Sequence, residues 1–399
     1  MLNQLEQPAP QVKTAFLQLG FRPFFAGAAT FSVLSMLAWL GLYVFDLPWH
    51  RATLAVTTWH AHEMVYGYGL AVIAGFLLTA VKNWTGVQTL HGIPLLLLWL
   101  LWLAGRVLLA AGDRVPLELA AVADCLFIAL LVIAVAYPVV KVRQWKQLGI
   151  ISKIVLLLIS NAVFYAGLLG LFPEGIRIGL YSGVYLVMAL IFAMARRVLP
   201  FFIQNAVDGQ VTLKNRKWLD IASLVLFLVF WIADITAPDS LPVAILAGTL
   251  CLLHTLRLAD WFTLGTFRKP LLWVLYLGYA ALVAGFALKA AVVALGISPF
   301  IALHAFTYGG IGLFTLGMMA RVTLGHTGRN VFEPPAMVSW MFTGMLAGAA
   351  LRVLFPLFDP QHYSLWMGLS QLLWIAAFML FLVICLPMLV QPRIDGRPG

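Results

Sequence analysis

The stretch GIPLLLLWLLWLAGRVLLAA, residues 92–111, decides the fold class, because only one of its residues, Arg106, is charged. A run of about 20 apolar residues spans the hydrocarbon core of a bilayer when it is helical. The whole 399-residue chain shares this character, with 63% hydrophobic and 10% charged residues, whereas about 25% charged residues is typical of soluble domains. The chain is therefore predicted to be an all-α polytopic membrane protein.

Apolar stretches bounded by charged residues, Pro or Gly recur along the chain and predict about 12 transmembrane helices in a single integral membrane domain, residues 1–399. The segment before the first stretch has no signal-peptide pattern, so the first helix is expected to be a retained span. The predicted helices cover residues 23–45, 53–81, 92–111, 116–139, 150–172, 175–200, 218–236, 241–258, 270–296, 299–323, 335–357 and 362–390.

The positive charges predict the orientation, because short cytoplasmic loops collect Lys and Arg. With both the N-terminus and the C-terminus in the cytoplasm, 19 of the 25 Lys and Arg residues fall on the cytoplasmic side. Topology and anionic lipid thus account for the net charge of +10, and no nucleic-acid partner is predicted. The residues on the outer side are Arg51, Arg106, Arg114, Arg177, Lys289 and Arg352.

Titratable residues inside the predicted helices are candidate site residues, because an ionisable side chain in a membrane is costly. The histidines and the lysine among them lie about 8–13 Å from the outer ends of their helices at 1.5 Å per residue. This shared depth predicts a site in the outer part of the membrane. The five candidates are His60, His62, Glu63, Lys289 and His304.

Residues 62–86 and 304–328 align without a gap. Both helices are predicted to run in the same direction, so the match indicates a weak parallel repeat that relates helices 2 and 10. His62 and His304 would then be pseudo-symmetric partners, and helix 6 shows no comparable match. The identical pairs are His62 and His304, Tyr66 and Tyr308, Gly67 and Gly309, Gly75 and Gly317, Thr85 and Thr327, and Gly86 and Gly328.

Helical spacing separates His60 from His62, because residues two apart point to nearly opposite sides. His60 is predicted to share a face with Glu63 and Met64, and His62 with Tyr66. One imidazole would ligate a haem iron or copper, for which neutral imidazole is a common ligand. The other would bind a haem propionate or a second metal, or form a hydrogen bond to a metal ligand. The plainer alternative is that these histidines are polar packing residues.

Glu63 and Lys289 allow two interpretations. They would form an ion pair that neutralises two costly charges. Alternatively, Lys289 or Arg106 would anchor haem propionates, and Glu63 would deliver protons. Tyr66 and Tyr308 are candidate redox or proton groups, although packing between helices is the commoner role of such residues.

A second group of candidates lies near the predicted cytoplasmic helix ends. His254 is near the inner end of helix 8, and His326 follows helix 10 in the run RVTLGHTGR (321–329) together with Arg321 and Arg329. A pair of His254 and His326 would give an inner site, whereas topology alone explains most of the arginines. The remaining histidines lie in connecting segments, where solvation is expected, and they are His50, His91 and His362.

Several familiar site types are excluded. Cys125, Cys251 and Cys385 lie singly in apolar runs, which excludes a disulfide framework, a CxxC redox pair and a CxxCH haem attachment. The chain has no Walker A, GxSxG or HExxH motif. It also lacks the adjacent His-His pair of a haem–copper oxidase core.

Three runs resemble the NnrS family, namely FRPFF (21–25), WHAHEMVYGYGLAVIAGFLLTAVKNWTG (59–86) and LHAFTYGGIGLFTLGMMARVTLGHTGR (303–329). The resemblance in length, helix number and motif order covers nearly the whole chain. Members of that family are described as haem- and copper-containing bacterial inner-membrane proteins tied to denitrification and nitric oxide stress. The resemblance implies metal ligands at His60, His62, His304 and His326, and less directly at His254.

Residues and resemblance together predict a protein that holds haem b, with copper as an optional second metal, between helices 2 and 10. It would protect the cell by binding or reducing nitric oxide, with electrons from an unknown donor. His62 and His304 are predicted to ligate the iron, with His60 on copper or beside the ligands. Two alternatives stay open: a transporter or metal and haem handling protein without redox turnover, and a haem-binding sensor or assembly factor.

Overall fold

The computed structural model describes residues 15–49, 54–207, 209 and 211–397. The residues in these ranges are 82% helical, and no strand occurs among them. Lys13, His50 and Arg51, which entered the sequence predictions, lie outside the described residues. The described part contains 12 helices long and apolar enough to cross a membrane. The prediction of an all-α, multi-pass membrane protein is therefore confirmed.

The twelve spanning helices, α1–α12, follow the predicted stretches closely. A short helix, Phe355–Phe358, follows α11. Their bounds are α1 Phe21–Val44, α2 Val56–Thr85, α3 Gly92–Ala110, α4 Leu117–Lys141, α5 Leu148–Leu168, α6 Gly175–Ala206, α7 Lys217–Thr236, α8 Leu241–Asp260, α9 Pro270–Leu295, α10 Pro299–His326, α11 Ala336–Val353 and α12 Tyr363–Val390.

Two of the boundary differences have local causes. Helix α6 continues past Pro200 to Ala206, because neighbouring helices in a membrane protein tolerate the interruption that proline makes. Helix α5 ends at Leu168 instead of residue 172. The chain turns there at Gly170, whose φ of 74° is readily adopted only by glycine.

The helices pack as three groups of four consecutive helices. Helices α2, α6 and α10, the second member of each group, contact one another at the centre and are the most buried of the twelve. At the junctions between groups, α4 packs on α5, α8 on α9 and α12 on α1. The sequence match between helices 2 and 10 thus belongs to a threefold arrangement that the sequence of helix 6 does not reveal.

A π-helical segment follows the matched histidine in both α2 and α10. The segments are Glu63–Gly69 after His62 and Ala305–Gly312 after His304, and they coincide in the gapless alignment. A π turn holds more residues than an α turn and occurs frequently at functional sites. The predicted repeat therefore extends to the backbone geometry. After each histidine, successive side chains are rotated about the helix axis by a smaller angle than in an α-helix.

Candidate metal and cofactor site

A cavity of about 260 Å³ lies between α1, α2, α6, α10, α11 and α12. The two repeat helices each contribute one histidine to it, His60 from α2 and His304 from α10. Most of the remaining wall is aromatic, aliphatic or methionine, which is typical of a cofactor pocket with a few polar groups. We call it the His60–His304 cavity, and its methionines are Met36, Met64 and Met367.

His60 is held by stacking. Its ring lies nearly parallel to that of Trp39, with 4.3 Å between the ring centroids. The buried Nδ1 atom of His60 has no hydrogen-bond partner. An unpaired polar atom in an apolar site costs free energy, and binding to a metal or a ligand would remove that cost.

His304 is fixed in one tautomer. Its Nδ1–H donates to the Phe300 carbonyl oxygen at 2.7 Å, which leaves the lone pair on Nε2, as in metal-binding histidines. The Nη2 atom of Arg352, on α11, donates to this Nε2 at 3.2 Å. Arg352 also lines the cavity, and its guanidinium suits a carboxylate. The sequence analysis counted Arg352 only among the outer-side charges and did not select it as a site residue, although it lies as far from its helix end as His304 does.

His62 lies outside the His60–His304 cavity. It is fully buried, its Nδ1 lies 3.2 Å from Glu63 Oε1 and its Nε2 lies 3.0 Å from Asn161 Oδ1. Both ring nitrogens thus face oxygen acceptors. The predicted separation of His60 and His62 onto different sides of α2 is confirmed, but the geometry does not support His62 and His304 as the iron-ligating pair. His60 lines the cavity with His304 in its stead.

Glu63 pairs with Arg106, which contradicts the predicted Glu63–Lys289 ion pair. Arg106 donates to Glu63 Oε1 at 2.6 Å and to Asp124 Oδ1, and Tyr165 donates to Asp124 Oδ2 at 2.7 Å. Glu63, the first residue of the π segment, lies on the side of His62 instead of His60, where it accepts from Arg106. We call Glu63, Arg106 and Asp124, with His62 beside them, the Arg106 cluster.

Lys289 belongs to a third buried group. Its Nζ lies 2.7 Å from Asp234 Oδ1 and 2.9 Å from Asp239 Oδ1, and Tyr185 donates to Asp234 Oδ2 at 2.5 Å. Neither Lys289 nor Arg106 lines the His60–His304 cavity, so the structure does not place them as propionate anchors. Glu63 does not line this cavity either, so no contact with the cavity supports its predicted role in proton delivery.

Asp124 and Asp234 were missed by the sequence analysis. Both are acidic residues inside apolar helices, α4 and α7, and both are almost fully buried. The rule that selected Glu63, that an ionisable residue in a membrane helix marks a site, would have found them. They provide the carboxylates that neutralise Arg106 and Lys289.

The two matched tyrosines have different surroundings. Tyr308 lines the His60–His304 cavity and donates to the Ser370 carbonyl oxygen at 2.8 Å. Tyr66 lies away from this cavity and donates to the Gly179 carbonyl oxygen at 2.7 Å. Each hydroxyl proton is therefore already used in a hydrogen bond to the backbone, which favours packing over proton transfer for both.

Gly348 on α11 leaves the space that Tyr308 occupies. A Cβ atom at position 348 would lie 2.0 Å from the Tyr308 hydroxyl, whereas one at Gly344, a turn earlier, would meet nothing within 4 Å. We therefore expect Gly348→Ala to displace Tyr308 and to cost about 1–3 kcal/mol, the usual cost of overpacking. Thermal unfolding in detergent measures this, with Gly344→Ala as the matched control. Equal stability of the two variants would contradict it.

The predicted inner site is not assembled, because His254 and His326 have separate surroundings. His254 lies against Tyr279 and Phe192. His326 packs on Phe21, with ring centroids 5.6 Å apart.

The other candidates of this group also lie elsewhere. Arg321 lies over the ring of Phe202, 3.7 Å from its centroid, and Arg329 approaches the Thr327 carbonyl oxygen at 3.5 Å. Neither lines the His60–His304 cavity, so no contact supports their cofactor-binding role. His91 and His362 are exposed, as expected.

The donor set of the His60–His304 cavity fits haem or copper. Among the described residues, no three His, Cys, Asp or Glu side chains gather to hold a metal ion. A metal here would therefore rest on the imidazoles of His60 and His304, with thioether sulfurs available from the methionines. Imidazole and thioether ligands suit haem iron and copper, and Arg352 supplies a cation for a haem carboxylate.

These features define the class: an all-α, multi-pass membrane protein in which two central helices each present a histidine to one apolar cavity. The family model described as NnrS protein matches residues 15–393. The chain therefore belongs to the NnrS family, which is associated with the response to nitric oxide and linked to haem and metal binding. A search of curated proteins found no match to the chain.

Proposed function

We propose that this is a bacterial inner-membrane protein that holds haem b, with copper as an optional second metal, in the His60–His304 cavity and protects the cell by binding or reducing nitric oxide there. The observation that carries the proposal is the pair of imidazoles from α2 and α10 in one cavity. His60 and His304 would ligate the metal, which would replace Arg352 at the Nε2 lone pair of His304 and free the guanidinium to bind a carboxylate of the haem. When bound, haem or copper supplies affinity for nitric oxide and redox chemistry.

The chain itself contributes an apolar environment. Trp39 and Trp374 line the cavity together with Val184, Val187 and Ile311. Such walls exclude water, and they admit a small uncharged molecule that partitions into lipid. The membrane-embedded position of the cavity therefore suits nitric oxide as the ligand.

Arg352 and Tyr308 position the cavity wall. The Arg352 guanidinium lies 5.3 Å from the ring centroid of Tyr363. This cation–π contact stabilises the positive charge of Arg352 and holds the guanidinium beside His304. Tyr308, bonded to the α12 backbone, fixes α10 against α12. Reduction of nitric oxide also needs an electron donor, for which a separate partner is proposed, whereas binding alone needs none.

An anaerobic visible spectrum of the purified protein tests the proposal. We expect a Soret band after reduction with dithionite that shifts when nitric oxide is added, because nitric oxide binds ferrous haem. Consumption of nitric oxide with excess reductant would indicate reduction, and a shift without consumption would indicate a binding or sensing role. A protein without bound haem or copper, isolated from cells supplied with both, would overturn the proposal and favour a transporter.

A further inference from the structure

A second cavity, of about 240 Å³, is lined by residues from α5, α6, α7 and α8 and from the segment before α5. It shares no lining residue with the His60–His304 cavity, and we call it the His254 cavity. Asp220 is the only carboxylate among the described residues that line it. The cations that line it are Lys146, Lys153, Arg196, Arg197 and Arg257.

One carboxylate cannot neutralise these cations. Asp220 binds two of them, with Oδ2 2.7 Å from Arg196 and Oδ1 3.0 Å from Arg257. Arg197 donates to a neutral partner, the Gln147 side chain, at 3.0 Å, and Lys153 donates to a backbone oxygen at 2.7 Å. The cavity therefore carries an excess of positive charge, which attracts anions and repels metal cations.

His254 presents a buried donor to this cavity. It is 1% exposed and lies nearly parallel to the ring of Phe192, with centroids 4.4 Å apart. Its Nδ1 lies 2.5 Å from the Tyr279 hydroxyl. Because a phenol hydroxyl is a stronger hydrogen-bond donor than the N–H of a neutral imidazole, Tyr279 donates to Nδ1. The ring proton is then on Nε2.

The Nε2 atom of His254 has no hydrogen-bond partner. A buried N–H without an acceptor is costly, and an oxyanion in the cavity would satisfy it. The same tautomer lacks the Nε2 lone pair that a metal ligand needs. The excess positive charge and the unpaired N–H both indicate that the cavity binds an anion with several acceptor oxygens.

We propose that the His254 cavity binds a phosphate group. Guanidinium groups match phosphate oxygens in pairs, and basic pockets between spanning helices on the cytoplasmic side bind anionic headgroups. Leu224, on the wall of the cavity, is 61% exposed on the surface of α7, where an acyl chain would lie. The phosphate belongs either to an anionic phospholipid or to a small soluble phosphate compound.

Binding measurements on the purified full-length protein separate these sources. The probes are dioleoyl phosphatidylglycerol, dioleoyl phosphatidylcholine as the zwitterionic reference, and inorganic phosphate. Native mass spectrometry and thermal unfolding in detergent report binding. If the source is lipid, we expect phosphatidylglycerol to bind at least tenfold more tightly than both phosphatidylcholine and inorganic phosphate. If the source is soluble, we expect inorganic phosphate to bind at least tenfold more tightly than either lipid.

Substitutions locate the binding. We expect the double variant Lys153→Gln with Arg197→Gln to lose at least tenfold in affinity, because neither residue is paired with a carboxylate. His254→Phe should lose affinity while keeping the ring stack. Lys141→Gln, an exposed change of the same charge outside the cavity, should bind like the wild type. Equal binding of all probes, or unchanged affinity in both cavity variants, overturns the proposal, and neither result depends on bound haem.

Discussion

Replacing His60 or His304 with Ala is expected to remove the bound metal from the purified protein, whereas replacing His62 leaves it in place. The reason is geometric, since His60 and His304 line one cavity and His62 is bonded to Glu63 and Asn161 outside it. We expect iron and copper per folded protein, and the Soret absorbance, to fall at least tenfold in His60→Ala and His304→Ala. Elemental analysis and visible spectra measure both.

The His62 variant needs a separate control, because it removes a partner from a buried cluster and lowers the yield of folded protein. Metal content is therefore normalised to the monodisperse fraction from size-exclusion chromatography. The exposed His91→Ala serves as the matched variant for loss of an imidazole. Metal lost from His62→Ala but kept in His60→Ala would restore the pairing of His62 with His304 that the sequence repeat suggests.

Arg106→Ala is expected to be the most destabilising of the substitutions considered for this chain. It leaves Glu63 and Asp124 as buried carboxylates without their cation, and breaking a buried ion pair in this way costs about 3–5 kcal/mol. We expect little folded protein in the membrane fraction and a large drop in the unfolding temperature. Arg114→Ala, an exposed arginine just beyond α3, should be close to the wild type.

A compensating variant separates charge from packing in the same cluster. Arg106→Met combined with Glu63→Gln and Asp124→Asn removes all three charges and should recover most of the lost stability, because replacing a buried ion pair by neutral groups is often tolerated. Metal per folded protein should stay at the wild-type value, since the Arg106 cluster lies outside the His60–His304 cavity. An Arg106→Ala protein as stable as the wild type would contradict this account.

The spanning helices could be predicted because each apolar stretch has a length set by the bilayer. The run 92–111 corresponds to α3, Gly92–Ala110, and the other predicted spans match in the same way. The rise per residue predicted a common depth for His60 and His304, and both line one cavity. Their meeting in one cavity agrees with the predicted proximity of helices 2 and 10.

The partners of the buried charges could not be predicted in the same way. The α spacing predicts Glu63 on the face of His60, whereas its side chain contacts His62 and Arg106. Lys289 meets Asp234 and Asp239, and Arg106 meets Asp124, through contacts between helices that a single sequence does not encode locally. The threefold packing also escaped notice, because α6 keeps the position but not the residues of α2 and α10.

The Arg106 cluster and the Lys289 group have a consequence for biogenesis. A charged residue at the centre of a spanning helix costs about 2.5–3.5 kcal/mol on insertion scales, so helices with opposite charges gain by leaving the translocon together. The partners of Arg106 lie on α2 and α4, the two sequence neighbours of α3, and can be released as one unit. Asp234 on α7 meets Lys289 only after α9 has been synthesised, so α7 enters the lipid phase carrying a carboxylate whose cation arrives two helices later.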